Sequence, residues 1–328
     1  MGVLKRTGAD CIVVVPHGEW HLPYDLGYSL ELPILRFHAK HFTDGELSLR
    51  CPELVVVKDK DIVLFAPQRM SPSDIVLGVA FFAQVLKQSQ AKSIIAVIPY
   101  FPYARQERSL VTINKPAPLQ MVVSLLKVAG VTNIVSVWFN AVDSIRNLPV
   151  PVLTVSPRSL LVDEILYHKL NVADPCLVAM NVRTSSIVRE IAQILKLQYV
   201  IYDKQRVYDN AVSGLKVNSG TGSDRGTAIL FDDVIATGTT ATRACRDLTR
   251  YGFSKVYGFF LHPLLYPGAL EKIEKSDFKK VFFPNSMMLP VIADSLKERV
   301  VIMDAYSVIE KAVKSVLLQC NIRFGPTP

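Results

Sequence analysis

Short unbroken runs of branched apolar residues alternate with longer stretches whose apolar positions recur every three or four residues. The runs Ile12–Val15, Ile62–Phe65, Ile94–Ile98 and Ile134–Val137 predict strands, with helices expected at Ser73–Gln88 and Leu119–Val128 between them. Their continuous Val, Ile and Leu content suits parallel strands covered on both faces. A second series is expected to begin at Val152–Val155. It continues through a helix at Ser159–His168, a strand at Cys176–Met180, a helix at Ser186–Leu195 and a strand at Tyr199–Tyr202. Lys255–Leu261 and Val281–Phe283 read as further strands, and Ala305–Leu318 as a closing helix with Ile309, Ala312 and Val316 at core spacing. Asn147, Pro149 and Pro151 supply a break near Leu148–Pro151. The pattern therefore predicts an α/β chain of two units, residues 8–150 and 151–302, followed by a helical segment, 303–320, that packs back on the first.

One stretch combines this pattern with chemistry. Ala228–Phe231 is a strand-type run, Asp232 and Asp233 follow it, and Ala241, Ala244, Cys245 and Leu248 then recur at helical spacing. Between them lies Thr237-Gly238-Thr239-Thr240. Small residues let backbone close around an anion, and the opening N–H groups of a helix face it with the favourable end of the dipole. Thr237, Thr239 and Thr240 add hydroxyl donors, while Asp232 and Asp233 suit sugar hydroxyls or, through water, Mg²⁺. An ordinary capped helix after a buried strand is the plainer alternative.

Composition narrows the partners. A chain of 328 residues, 50% hydrophobic and 20% charged, can bury more than one core. The formal charge of +8 suits polyanionic small substrates, and the dense basic run with interleaved aromatics expected of a nucleic-acid binder is missing. Cys11, Cys51, Cys176, Cys245 and Cys320 form no CxxC pair, so neither a zinc site nor a disulfide framework is expected. The most apolar segment, Ile75–Leu86, contains Gln84 and is too short to span a bilayer. A soluble, cytoplasmic protein is expected. That segment is apolar nearly all round, which predicts deep burial or contact with another subunit.

Two more stretches carry polar groups in unusual company. Phe42-Thr43-Asp44-Gly45-Glu46 offers an aromatic face on which a purine could stack, with Asp44 and Glu46 as acceptors for an exocyclic amine. By itself it is also a turn closed by Asp-Gly. Ile98–Arg108, IPYFPYARQER, leaves a strand through two prolines and several aromatics and delivers Arg105 and Gln106 together. An Arg at a strand exit is a natural phosphate or nucleotide contact.

In the order FTDGE, PYFPYARQ, Asp203-Lys204-Gln205-Arg206 and the DD…TGTT loop, the chain resembles the ribose-phosphate pyrophosphokinase (PRPP synthetase) family from about Cys11 to Lys314. The resemblance implies two duplicated type I phosphoribosyltransferase-like domains, each with a mostly parallel sheet flanked by helices. It implies transfer of the diphosphoryl group of ATP to the 1-hydroxyl of ribose 5-phosphate, with Mg²⁺, in a homo-oligomer or alongside an active paralogue. Carried over residue by residue, Phe42, Asp44, Glu46, Arg105 and Gln106 would bind ATP, partly across a subunit interface. Asp232, Asp233, Thr237, Gly238, Thr239 and Thr240 would hold ribose 5-phosphate. Lys204 and Arg206 would lie over the transferring phosphates, where cations that neutralise spreading charge do most of the protein's work.

Departures from the family pattern concern the metal. Asn140 stands where the family has a metal-associated His, and Asn181 where it has a carboxylate. Arg183 and Thr184 replace two glycines, and Ala236 replaces an acidic residue. Three readings stay open: an active synthetase with an altered metal site, a weak or inactive paralogue that partners an active subunit, and a plain phosphoribosyltransferase.

Overall fold

The computed structural model describes residues 10–18, 20–51, 54–67, 70–104, 118–138, 145–171, 175–202 and 226–321. The chain separates into two compact units, residues 1–156 with 306–328 and residues 157–305.

The first unit is built on a seven-stranded sheet of order β3-β2-β1-β4-β5-β6-β7. Its strands are β1 (Cys11–Pro16), β2 (Ile34–His41), β3 (Leu47–Arg50), β4 (Asp61–Phe65), β5 (Ser93–Val97), β6 (Asn133–Val137) and β7 (Val152–Val155). All pairs are parallel except β2 with β3, an antiparallel hairpin at the edge. Central strands such as β4 are buried along their whole length, because helices cover both faces. On the β3 edge β2 is buried only at alternate positions. Helices α1 (Leu22–Ser29), α2 (Pro72–Gln88) and α3 (Pro118–Ala129) belong to this unit, as does the last helix, α8 (Tyr306–Gln319). α8 is held to α1 by Ser29, whose hydroxyl donates to Glu310, and it packs on β6 and β7.

Val152–Val155 departs from expectation. Instead of opening a second series it pairs in parallel with β6, Ile134 opposite Val152 through Val137 opposite Val155, and completes the first sheet. The prolines at 149 and 151 mark a bend between two strands of one sheet, and the units divide after Ser156.

The second unit carries a six-stranded, all-parallel sheet of order β13-β12-β11-β10-β8-β9. Its strands are β8 (Pro175–Ala179), β9 (Gln198–Ile201), β10 (Thr227–Ile235), β11 (Lys255–Pro263), β12 (Phe278–Pro284) and β13 (Val300–Met303). Helices α4 (Arg158–Tyr167), α5 (Ser185–Leu195), α6 (Thr239–Arg250) and α7 (Ala269–Glu274) flank it. Phe259 and Phe282 stack at 4.1 Å on one face, and Phe260 packs edge-on to Phe278 on the other. The chain runs from β8 outward to β9, then returns to lay β10 on the opposite side of β8. Strand order thus reverses between β8 and β10, the crevice where open parallel sheets bind ligands at their carboxyl ends.

β10 is longer than the apolar run that announces it. It pairs with β11 as far as Ile235 opposite Pro263, so Asp232 and Asp233 lie inside the strand and not in the loop after it. All five cysteines are free thiols. Burial, the main cause, pushes the Cys11 and Cys245 thiols up to about 12, which keeps them protonated and inert. Among the described residues no helix is long and apolar enough to cross a membrane.

Candidate functional site

The β8–β10 crevice gathers the residues singled out for the sugar phosphate. α6 opens on Gly238, whose φ of 74° is left-handed and whose Cα faces α7. A Cβ built there would lie 3.3 Å from the Ala269 carbonyl oxygen and 3.8 Å from the Lys272 Cβ. Glycine is needed twice over, for the turn and for the close approach. The loop carbonyls are tied down from behind: the Leu265 N–H donates to Ile235 O (3.2 Å) and the Tyr266 N–H to Ala236 O (2.9 Å). A helix's opening N–H groups have no partner inside the helix, so α6 presents donors at the crevice. Thr237 Oγ1 donates to Thr239 Oγ1 (3.3 Å), and Lys272 Nζ donates to the same oxygen (2.9 Å). Behind this turn the small residues Ala241, Ala244 and Cys245, with Leu248, are buried against the sheet, the stripe that the helical spacing predicts.

Across the crevice, at the end of β8, Asn181 does two jobs. Its Oδ1 accepts the N–H groups of Arg183 (2.9 Å) and Thr184 (3.1 Å), closing the turn into α5. Its Nδ2 donates to Asp232 Oδ1 (3.0 Å), which also accepts the Asp233 N–H (3.0 Å). The two backbone donors fix which end of the amide is oxygen, since a flipped amide would set N–H against N–H. Both lone pairs of Asn181 Oδ1 are therefore engaged, and the side chain does not fit a direct metal ligand. Among the described residues no group of three or more His, Cys, Asp or Glu is placed to hold a metal ion. Nor does this turn need glycine, because neither Arg183 nor Thr184 has a positive φ. Thr184 is fully buried, its hydroxyl donating to Asn181 O (3.1 Å).

At the end of β9, next to β8, the Tyr202 hydroxyl donates to Asp247 Oδ2 on α6 (2.7 Å). Burial, and then that carboxylate, push the phenol's pKa well up. This contact ties the end of β9 to α6. The sequence candidates Lys204 and Arg206 follow in the chain. Those two residues lie outside the described residues, as do Arg105, Gln106 and Asn140.

In the first unit, Phe42–Glu46 is the turn of the β2–β3 hairpin. The Phe42 N–H donates to Glu46 O (2.8 Å), the Gly45 N–H to Phe42 O (3.0 Å), and the Glu46 N–H to Asp44 Oδ1 (3.1 Å). The turn expected of this stretch is present, and Phe42 is 55% exposed. The first turn of α2 ties this hairpin to Tyr103. Asp74 Oδ2 accepts from Ser71 Oγ (2.7 Å) and pairs with His41 Nε2 (3.0 Å), beside the hairpin turn. The Ser71 hydroxyl, and after it the His41 ring, hold the Asp74 carboxyl below the usual carboxylate range. Next to it Ser73 Oγ and Tyr103 Oη share a hydrogen bond of 2.8 Å, and Tyr103 adopts a φ of 65° as the chain turns away from β5.

Sequence reasoning missed Lys272, which is 33 residues from its partner Thr239, and the tie from Asn181 to Asp232, 51 residues apart. No local pattern signals either one.

Two mostly parallel sheets flanked by helices, one of them carrying paired carboxylates and a threonine-rich helix opening at its switch point, define a protein of the phosphoribosyltransferase-like α/β class. Residues 19–130 match the family model for the N-terminal domain of ribose phosphate pyrophosphokinase. The ribose-phosphate pyrophosphokinase of Halalkalibacterium halodurans is 27% identical over 82% of this chain and 83% of its own length. That of Corynebacterium ammoniagenes is 29% identical over 76% of each. In fold the chain is similar to the crystal structure of phosphoribosylpyrophosphate synthetase from Mycobacterium smegmatis, with a TM-score of 0.77 and 22% identity over 94% of this chain and 99% of that one. Over about four fifths of its length the chain is thus similar to ribose-phosphate pyrophosphokinases, and it shares the fold of a phosphoribosylpyrophosphate synthetase.

Proposed function

We propose that this chain is a ribose-phosphate diphosphokinase, converting ATP and ribose 5-phosphate to PRPP and AMP. The observation that carries this reading is the turn at the β8–β10 crevice, with Gly238 locked left-handed against α7 and threonine hydroxyls at the opening of α6. There the loop and Thr237, Thr239 and Thr240 take the 5-phosphate, and Asp232 and Asp233 take ribose hydroxyls. Phe42 stacks on the adenine, with Asp44, Glu46, Arg105 and Gln106 completing the nucleotide contacts. The C1 oxygen attacks the β-phosphorus, the bond from that phosphorus to the α-phosphate oxygen breaks, AMP departs, and the hydroxyl proton is lost to solvent. Lys204 and Arg206 neutralise charge on the transferring group. Mg²⁺ arrives with the nucleotide as MgATP.

Calorimetry tests the binding half of this reading. One chain should bind ATP and ribose 5-phosphate in separate, non-competing events. Arg105→Ala should weaken ATP about tenfold, roughly 1.4 kcal/mol, and leave the sugar phosphate alone. A parent that binds the sugar phosphate but no ATP would leave only the plain phosphoribosyltransferase.

A specific observation also favours a second reading, the weak or inactive paralogue that partners an active subunit. The Arg183 and Thr184 N–H groups, which in an open anion loop would face phosphate, are bonded to Asn181 Oδ1. Both readings require assembly, and α2 and α3 supply a surface for it. α2 buries Ile75, Val79, Phe82, Ala83 and Leu86 yet leaves Leu77, Phe81 and Val85 exposed on its other face. The neighbouring α3 leaves Met121, Leu125 and Val128 exposed. Rows at this spacing on packed helices form one apolar face, which suits a second copy of the chain. Phe81→Glu should dissociate the assembly in sedimentation at micromolar concentration while the circular dichroism spectrum is retained. A monomeric parent under the same conditions would refute the assembly.

A further inference from the structure

Lys272 is a cation in an unusual place. It projects from α7 to Thr239, the first residue of α6, and no carboxylate pairs with it among the described residues. Lys272 lies in the last turn of α7, which favours a cation, but its ammonium reaches the N-terminus of α6, which opposes one, so helix dipoles do not by themselves explain the contact. Nor is the contact incidental. α7 abuts Gly238 closely enough that a Cβ there would meet Ala269 O at 3.3 Å and Lys272 Cβ at 3.8 Å, so the lysine stem is set against the loop.

Thr239 shows what the lysine does. A hydroxyl offers one donor proton and two acceptor lone pairs. Here the lone pairs receive Lys272 Nζ at 2.9 Å and Thr237 Oγ1 at 3.3 Å. The remaining capacity of Thr239 is to donate. The ammonium keeps two further protons, and an incoming anion meets a hydroxyl polarised by a neighbouring cation at the favourable end of α6.

We infer that Lys272 sets the charge selectivity of the loop, orienting Thr239 as a donor and favouring the doubly ionised phosphate of the sugar phosphate over its singly ionised form. The inference rests on reading this loop as the sugar-phosphate site. Lys272 is a positioning residue, acting through Thr239 and through its field.

The test is calorimetric titration of ribose 5-phosphate into the parent, Lys272→Ala, Lys272→Arg and Gly238→Val between pH 5.5 and 7.5. A phosphate monoester takes up its second charge near a pKa of roughly 6. Parent affinity should therefore rise across this range. Lys272→Ala should bind about tenfold more weakly at pH 7.5 and lose most of the rise, and Lys272→Arg should restore both to within about threefold. ATP affinity should not change in either lysine variant, and an unchanged circular dichroism spectrum and unfolding temperature show that they are folded. If the parent binds, Gly238→Val does not, and Lys272→Ala matches the parent in affinity and pH profile, the role of Lys272 is refuted and the loop assignment stands. If Lys272→Ala weakens binding equally at every pH and arginine does not rescue it, the lysine is only structural and the inference fails. A parent that binds ATP but no ribose 5-phosphate overturns the loop assignment and this inference together.

Discussion

Replacing Gly238 by valine is expected to abolish measurable ribose 5-phosphate binding, a loss of at least a hundredfold, while ATP affinity stays unchanged. Two penalties act at this one position. A β-branched residue must adopt a φ of 74°, and its Cβ must lie 3.3 Å from the Ala269 carbonyl. Left-handed backbone costs a branched residue about 1–3 kcal/mol. The contact cannot be relieved by rotating a side chain, since the neighbour is backbone, so α6 and α7 must part by a few tenths of an ångström. Parting them displaces Thr239 from Lys272 and opens the turn that faces the anion. Gly268→Ala is the control: its φ is 82°, but nothing lies within 4 Å of the added carbon. That variant should lose stability by about 1 kcal/mol and keep its affinity. Calorimetry with thermal unfolding separates the two. Unchanged affinity in Gly238→Val would remove the loop from the binding site.

Asn181→Asp is expected to make the second unit dependent on a divalent cation. The new carboxylate can still accept the Arg183 and Thr184 N–H groups, but it confronts Asp232 where an amide donor stood 3.0 Å away. Two unit charges ~3 Å apart repel by about 5 kcal/mol at an effective dielectric of 20, a figure that relaxation and proton uptake reduce. A stability loss of about 1–3 kcal/mol without divalent ions follows. Millimolar Mg²⁺ should recover it by seating between the carboxylates, and should leave the parent's unfolding temperature unmoved. Turnover, where present, should rise with the same Mg²⁺. If Mg²⁺ shifts parent and variant alike, the Asn181 amide is not standing in for a cation. Asn140→His, combined with Asn181→Asp, should depart from additivity if both positions act on one ion.

How far the fold was legible follows from burial. β1, β4, β5 and β6 are covered on both faces and read as unbroken apolar runs. The edge hairpin leaves no such signal, because β2 is buried only at alternate positions and β3 is never fully buried. β7 reads as the start of the second series for a different reason. The prolines at 149 and 151 look like a linker, and what decides its sheet is pairing with β6, a contact no local pattern encodes. The turn proposed to take ribose phosphate is readable because glycine, threonines and paired aspartates sit within a dozen residues of one another. That Asn181 departs from the family was visible too, but its consequence was not. Its partner Asp232 comes from a strand 51 residues on, brought alongside by the return of β10 onto β8. Strand ends at a switch point are where distant segments meet, so the polar ties that shape such a site are the part of it least visible in one dimension.

The most direct measurement is phosphorus NMR of the purified chain with MgATP and ribose 5-phosphate. It reports which bond of the nucleotide is broken. Diphosphoryl transfer predicts AMP and PRPP appearing in equal amounts, both absent without ribose 5-phosphate and both abolished by Gly238→Val. ADP with a phosphorylated sugar, and no AMP, would contradict diphosphoryl transfer. No turnover in a chain that binds both substrates would contradict it as well, and would leave the partner-subunit reading in its place.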